Sequence, residues 1–213
     1  MEIELLYTCG DSWTRASEYP AEIQDKVSWP TYLQGFLGQG TNLVNLSAGG
    51  ASNDYMVRKT VDFFENETFY SPDKQFAIIG WTAHTREELK TVLESRDWPS
   101  INLSYEDPDP RIRKYQELML EWGYNEECWK NHLKRLKILL GRYLEDKNIK
   151  YIFFDNWEEN VWDTYSRRGI HVPYTFSEFI NKSDLDFLPG GHPTAKSNYE
   201  WADHLHFLIK TNF

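Results

Sequence analysis

Ile3-Glu4-Leu5-Leu6-Tyr7-Thr8-Cys9-Gly10-Asp11-Ser12-Trp13-Thr14 decides the fold. It opens as a short apolar run with β character and stops at a glycine. A strand that ends this way delivers the next side chains to the carboxyl edge of a sheet, where open α/β sheets bind their ligands. Ser12 is the residue so delivered. Gly-Asp-Ser alone is a common turn sequence, so Ser12 needs partners elsewhere in the chain before it reads as more than a cap.

Four further apolar runs share the strand signature. They are Asn42–Leu46, Phe76–Ile79, Tyr151–Phe154 and the short Ile170–Val172. Phe76–Ile79 is continuous and bounded by Gly80, as a strand buried on both faces would be. Helical patterns lie between these runs. Trp29-Pro30 opens a short helix with proline in its first turn. Val57, Val61 and Phe64 form one apolar stripe, and Ser52 or Asn53 is placed to cap it. Ile112, Tyr115, Leu118, Met119 and Trp122 mark another helix, and Thr85–Leu89 opens a helix or turn. Trp129, Leu133, Leu136, Leu140 and Tyr143 hold helical period for about four turns. A last helix carries Trp201, Leu205, Leu208 and Ile209. Strands alternating with helices predict a mostly parallel sheet covered on both sides, a three-layer α/β/α sandwich. Residues 1–213 read as one domain, without repeat or linker.

Composition narrows the function. The 213 residues carry a net charge of -10, which argues against a protein that tracks nucleic-acid phosphates. No apolar run approaches the roughly 18 residues of a membrane span. The acidic N-terminus lacks a signal-peptide pattern, so the expectation is a soluble, cytoplasmic protein. Cys9 and Cys128 show no metal spacing and read as two free thiols. Asp155, Asp184, Asp186 and His192 offer ligand types without a compact motif, so no metal is expected. Gly35, Gly38 and Gly40 do not follow a strand, which excludes a dinucleotide fingerprint. No cofactor is expected.

The motifs, taken in order, resemble those of the SGNH (GDSL-like) hydrolases. Gly10-Asp11-Ser12 matches the first block, which carries the serine nucleophile. Asn45 and Gly50 match the second block. Gly80-Trp81-Thr82-Ala83 stands where the family has Gly-x-Asn-Asp, and only its glycine matches. His192-Pro193 matches the last block, with Pro189 where the family has its acid. The resemblance spans nearly the whole chain.

It implies hydrolysis of a small-molecule or carbohydrate ester, with Ser12 as nucleophile and His192 as base. A serine hydroxyl is a poor nucleophile at neutral pH and needs such a base within reach. The tetrahedral intermediate needs donors aimed at its oxyanion. The resemblance assigns these to the Ser12 and Gly50 amides. Thr82 takes the register of the missing Asn, with the Trp81 indole and His84 as neighbouring substitutes. Two arrangements stay open for His192: a Ser-His dyad, or support from Asp186. Asp11 reads as a brace for the turn. Two other outcomes fit the same chain: an acyltransferase on this scaffold, and a binding protein that kept the fold and lost the chemistry.

Overall fold

The computed structural model describes residues 2–88, 100–103, 106–123, 125–157 and 168–213. Five strands form a parallel sheet: β1 (Leu5–Gly10), β2 (Asn42–Asn45), β3 (Gln75–Trp81), β6 (Lys150–Asp155) and β7 (Gly169–His171). Their order across the sheet is β2-β1-β3-β6-β7. Counted among these five, that is the 2-1-3-4-5 order of flavodoxin-like sheets. The order reverses between β1 and β3, and the crevice outside their carboxyl ends is where such sheets take ligands. Ser12 comes two residues after β1. A second sheet pairs β4 (Arg86–Glu88) with β5 (Ser100–Asn102), antiparallel. The helix or turn expected at Thr85–Leu89 is therefore a short strand as far as Glu88. Most of the stretch between the two strands, which includes Trp98-Pro99, lies outside the described residues.

Alternation along each strand sends side chains to two separate cores. Leu6, Phe76, Ile78, Ile152 and Phe154 meet the helices α3 (Trp29–Leu37), α7 (Phe176–Lys182) and α8 (Ala195–Asn212), through Trp29, Leu33, Phe176, Ile180, Trp201 and Leu205. Tyr7, Cys9, Ala77, Ile79, Trp81, Tyr151 and Phe153 meet α4 (Asn53–Asn66) and α6 (Glu126–Asp146), through Met56, Phe64, Leu133, Leu140 and Leu144. Helices thus cover both faces of the sheet, giving the three-layer α/β/α sandwich. The shorter α1 (Ser12–Arg15) and α2 (Ala21–Val27) precede α3, and α5 (Pro110–Leu118) precedes α6. The helix expected through Trp122 ends as α5 at Leu118 and continues as a π-type turn over Met119–Gly123.

Both thiols are free, Cys9 buried and Cys128 exposed. Burial pushes the Cys9 thiol up to about 12, so it stays protonated and inert. Among the described residues, no helix is long and apolar enough to cross a membrane.

Candidate active site

Two glycines and one carboxylate build the turn that presents Ser12. A Cβ on Gly10 would sit 2.1 Å from Thr14 Oγ1, and one on Gly80 would sit 2.9 Å from the same atom. Only glycines let the first turn of α1 fold back onto the ends of β1 and β3. Asp11 caps that turn, its carboxylate accepting from Trp13 N at 3.0 Å.

Asp11 is fully buried and does far more than cap. Its Oδ1 also accepts from Asn156 Nδ2 at 2.8 Å. Its Oδ2 accepts from Thr82 Oγ1 at 2.7 Å, an Arg86 guanidinium nitrogen at 3.1 Å and Trp157 Nε1 at 3.2 Å. A buried carboxylate is tolerable only when paired and fully hydrogen-bonded. Here it ties together the ends of β1, β3 and β6, with Ser12 next in the chain.

His192 arrives from the other end of the molecule. Leu188-Pro189-Gly190-Gly191 has the Pro-Gly signature of a type II turn, with φ of +108° at Gly190. Gly191 N–H donates to Leu188 O at 2.9 Å, and Leu188 N–H donates to His192 O at 2.7 Å. Phe187 and Pro193 bridge across the base of this hairpin. Thr194 then caps α8 by accepting from Ser197 N at 3.1 Å. These constraints set His192 Nε2 2.9 Å from Ser12 Oγ, across 180 positions of sequence. Trp157 packs edge-on to the imidazole, with ring centroids 6.2 Å apart, so one indole touches both the Asp11 cluster and the histidine.

The other expected site residues fall in different places. Asp186 is exposed; its backbone carbonyl accepts from Ser197 Oγ at 2.7 Å. His192 Nδ1, which an orienting acid would meet, is buried without a hydrogen-bond partner among the described residues. The Thr82 hydroxyl gives its proton to Asp11, and Thr82 N donates to Asn53 Oδ1 at 3.0 Å. It is thereby part of the Asp11 cluster, and no spare O–H is left for an oxyanion.

Trp81 lies in the opposite core. It packs against Phe153, with Lys137 over its face, because strand alternation points it away from the Trp13 side. His84 is buried and lines a cavity of about 220 Å³ together with Asn53, Arg86, Trp129 and His132. Ser12 and His192 are not among the residues around that cavity. Gly50 occupies a turn closed by Ala51 N–H donating to Ala48 O at 3.1 Å, and its φ of +73° is left-handed, a conformation glycine adopts without strain. Ala48 N–H donates to Gly10 O at 3.1 Å, which ties this turn to the strand end that carries Ser12.

Arg86, Asn156 and Trp157 were not legible as site residues. Arg86 carries no local sign in the sequence that it meets Asp11, 75 positions away. Asp155, considered above as a metal ligand, forms a buried ion pair with Lys137 on α6. Among the described residues, no three His, Cys, Asp or Glu side chains gather as a metal-binding set.

No protein-family model matches the sequence, and no curated protein matches it. Solved structures do match. A member of the lipolytic protein G-D-S-L family from Veillonella parvula DSM 2008 aligns over 98% of this chain and 99% of its own, with a TM-score of 0.56 and 10% identity. TesA aligns over 97% and 98%, with a TM-score of 0.57 and 13% identity. The psychrotrophic esterase EstA from Pseudoalteromonas sp., in a structure inhibited by monoethylphosphonate, covers 98% of this chain and 97% of its own, with a TM-score of 0.54 and 15% identity. The chain has the fold of the G-D-S-L (SGNH) hydrolases, in a form far diverged in sequence. The likeness suggested by its short motifs extends to the whole architecture.

Proposed function

We propose that the protein is a serine hydrolase that cleaves an ester of a short acyl group or a carbohydrate O-acetyl. Ser12 forms the acyl-enzyme and His192 is its base. The observation that carries this reading is the 2.9 Å contact between Ser12 Oγ and His192 Nε2 at the switch point of the sheet. Nucleophile and base within hydrogen-bond reach are the geometric signature of an activated serine. The fold shared with lipolytic and esterase structures supports the same reaction class.

In this reading Nε2 takes the Ser12 proton as Oγ attacks the ester carbon. The oxyanion rests on the backbone N–H groups of Ser12 and Gly50. Ser12 opens α1, so its N–H has no acceptor within the helix and is available. His192 then protonates the departing alcohol, and water resolves the acyl-enzyme by the same route in reverse. The partnerless Nδ1 favours a Ser-His dyad over a triad through Asp186. Asp11 positions Ser12 and does not touch the reacting atoms.

A fluorophosphonate probe tests this directly. We expect a stable adduct on Ser12, found by mass spectrometry of the peptide. Ser12→Ala or His192→Ala should remove aryl acetate hydrolysis by up to about 10⁶ in kcat, the scale for losing either member of such a unit. Folded protein that takes no label and turns over no ester would support the binding-protein reading. An acyl-enzyme that passes its acyl group to a sugar in preference to water would support the transferase.

A further inference from the structure

A base that receives the serine proton must hand it to the alcohol oxygen of the ester, so the alcohol half of the substrate passes beside His192 Nε2. Glu18 stands there. Its Oε1 lies 3.4 Å from Nε2, the nitrogen that also meets Ser12 Oγ at 2.9 Å. Glu18 does not orient the imidazole, because an orienting group would meet Nδ1 on the far side of the ring. Nor is it sealed into the protein: its side chain is 43% exposed. Among the described residues, its ion-pair partner is His192.

The backbone is shaped to hold Glu18 in this position. α1 lasts a single turn and ends at Ala16, a non-glycine residue with φ of +58°. That left-handed step turns the chain back over α1. Ser17 N–H donates to Ser12 O at 3.0 Å and Tyr19 N–H to Ala16 O at 3.1 Å, one bond on each side of Glu18. Gln24 Nε2 braces the same turn by donating to Tyr19 O at 2.8 Å. Gly49 makes room for it, since a Cβ there would stand 3.1 Å from Ser17 Oγ.

A half-exposed carboxylate on the leaving-group side attracts positive charge. The half-buried Trp157 indole, 6.2 Å from the His192 ring, adds an aromatic neighbour of the kind that receives ammonium groups. The net charge of -10 draws cations toward the molecule as a whole. We infer that Glu18 is a specificity-determining residue that selects esters whose alcohol part carries a positive charge. The inference rests on the Ser12–His192 reading of the site. In the step it describes, the Oγ–acyl bond forms and the acyl–oxygen bond to the alcohol breaks. The serine proton moves through Nε2 to the alcohol oxygen, and the cationic alcohol leaves past Glu18.

The acetyl ester of choline and its uncharged isostere, 3,3-dimethylbutyl acetate, form a matched pair for the test. Wild-type protein should favour the cationic ester by about tenfold in kcat/KM at low salt, a preference that falls as salt screens it. Glu18→Gln and Glu18→Ala should bring the ratio near one, the cationic ester losing more of its kcat/KM than the neutral one. A ratio unchanged by both substitutions overturns the inference and leaves the hydrolase reading standing. An equal rise on both esters also overturns it, since Glu18 would then only compete with Ser12 for Nε2. Turnover of neither ester, together with no fluorophosphonate adduct on Ser12, overturns both readings.

Discussion

Ser12 is held by a buried carboxylate that gathers hydrogen bonds from five residues, whereas His192 is held by a hairpin whose tip is two glycines with positive φ. Both halves of the site lie at the carboxyl edge of one sheet. They reach it by opposite means. On the serine side, backbone N–H, hydroxyl, amide, guanidinium and indole donors converge on Asp11, so moving one strand end strains the others. On the histidine side, Nδ1 meets no hydrogen-bond partner among the described residues, and the loop is ordered by its own turn and the cap of α8. Ser12 is fixed by electrostatics, and His192 is fixed largely by chain geometry. Substitutions on the two sides should therefore fail in different ways.

The largest effect is expected at Asp11. Asp11→Asn leaves the Arg86 guanidinium, 15% exposed, without its carboxylate, and sets an amide against the donors that met Oδ2. Breaking a buried pair by removing one partner costs about 3–5 kcal/mol. The urea unfolding midpoint should fall accordingly, and Arg86→Met in the same background should recover part of the loss. A midpoint moved by less than about 1 kcal/mol would show that the carboxylate cluster carries little of the fold.

A smaller effect is expected on the other side. Gly191 has φ of +80°, and a Cβ there would meet nothing within 4 Å. Gly191→Ala therefore adds backbone strain and no clash, roughly 1–2 kcal/mol. Because the hairpin carries the imidazole, kcat on an aryl acetate should drop by more than the loss of stability accounts for. Unchanged kcat would show that His192 is held by more than its loop.

The smallest effect is expected at Asp186. Its carboxylate is exposed and makes no hydrogen bond to His192 among the described residues. Asp186→Asn should leave kcat within about threefold of wild type. Loss of an orienting Asp in a serine protease costs about 10⁴, so a drop of that size would reinstate the triad.

The same contrast explains what could be read from the sequence. Strands β1, β2, β3, β6 and β7 announced themselves as apolar runs, and α4, α6 and α8 as stripes of helical period. Ser12 and His192 were found because each sits in a short, local motif. The Asp11 cluster was not, because four of its five partners are 71 to 146 positions away and carry no local sign of meeting. Thr82 illustrates the limit: a hydroxyl at that register serves an oxyanion or a carboxylate equally well, and only the fold decides. β4 was read as helix or turn because Arg86-Glu87-Glu88 has helical propensity. Pairing with β5 overrides it. α7 was missed although a signal was present, since Thr175 and Glu178 form a capping box in Thr-x-x-Glu spacing.

The hydrogen bond between Ser12 and His192 closes a loop of 180 positions. During synthesis the turn that carries Ser12 leaves the ribosome long before the histidine does. Strand β1 pairs with β2 and β3, both in parallel, so each pairing must wait for a crossover to be made. Such distant pairings are closed late and slowly. The contact between Ser12 and His192 can then form only after the segment leading into α8 has docked. A chain stopped before that segment would leave Ser12 without its histidine, so formation of the contact would time the docking of α8.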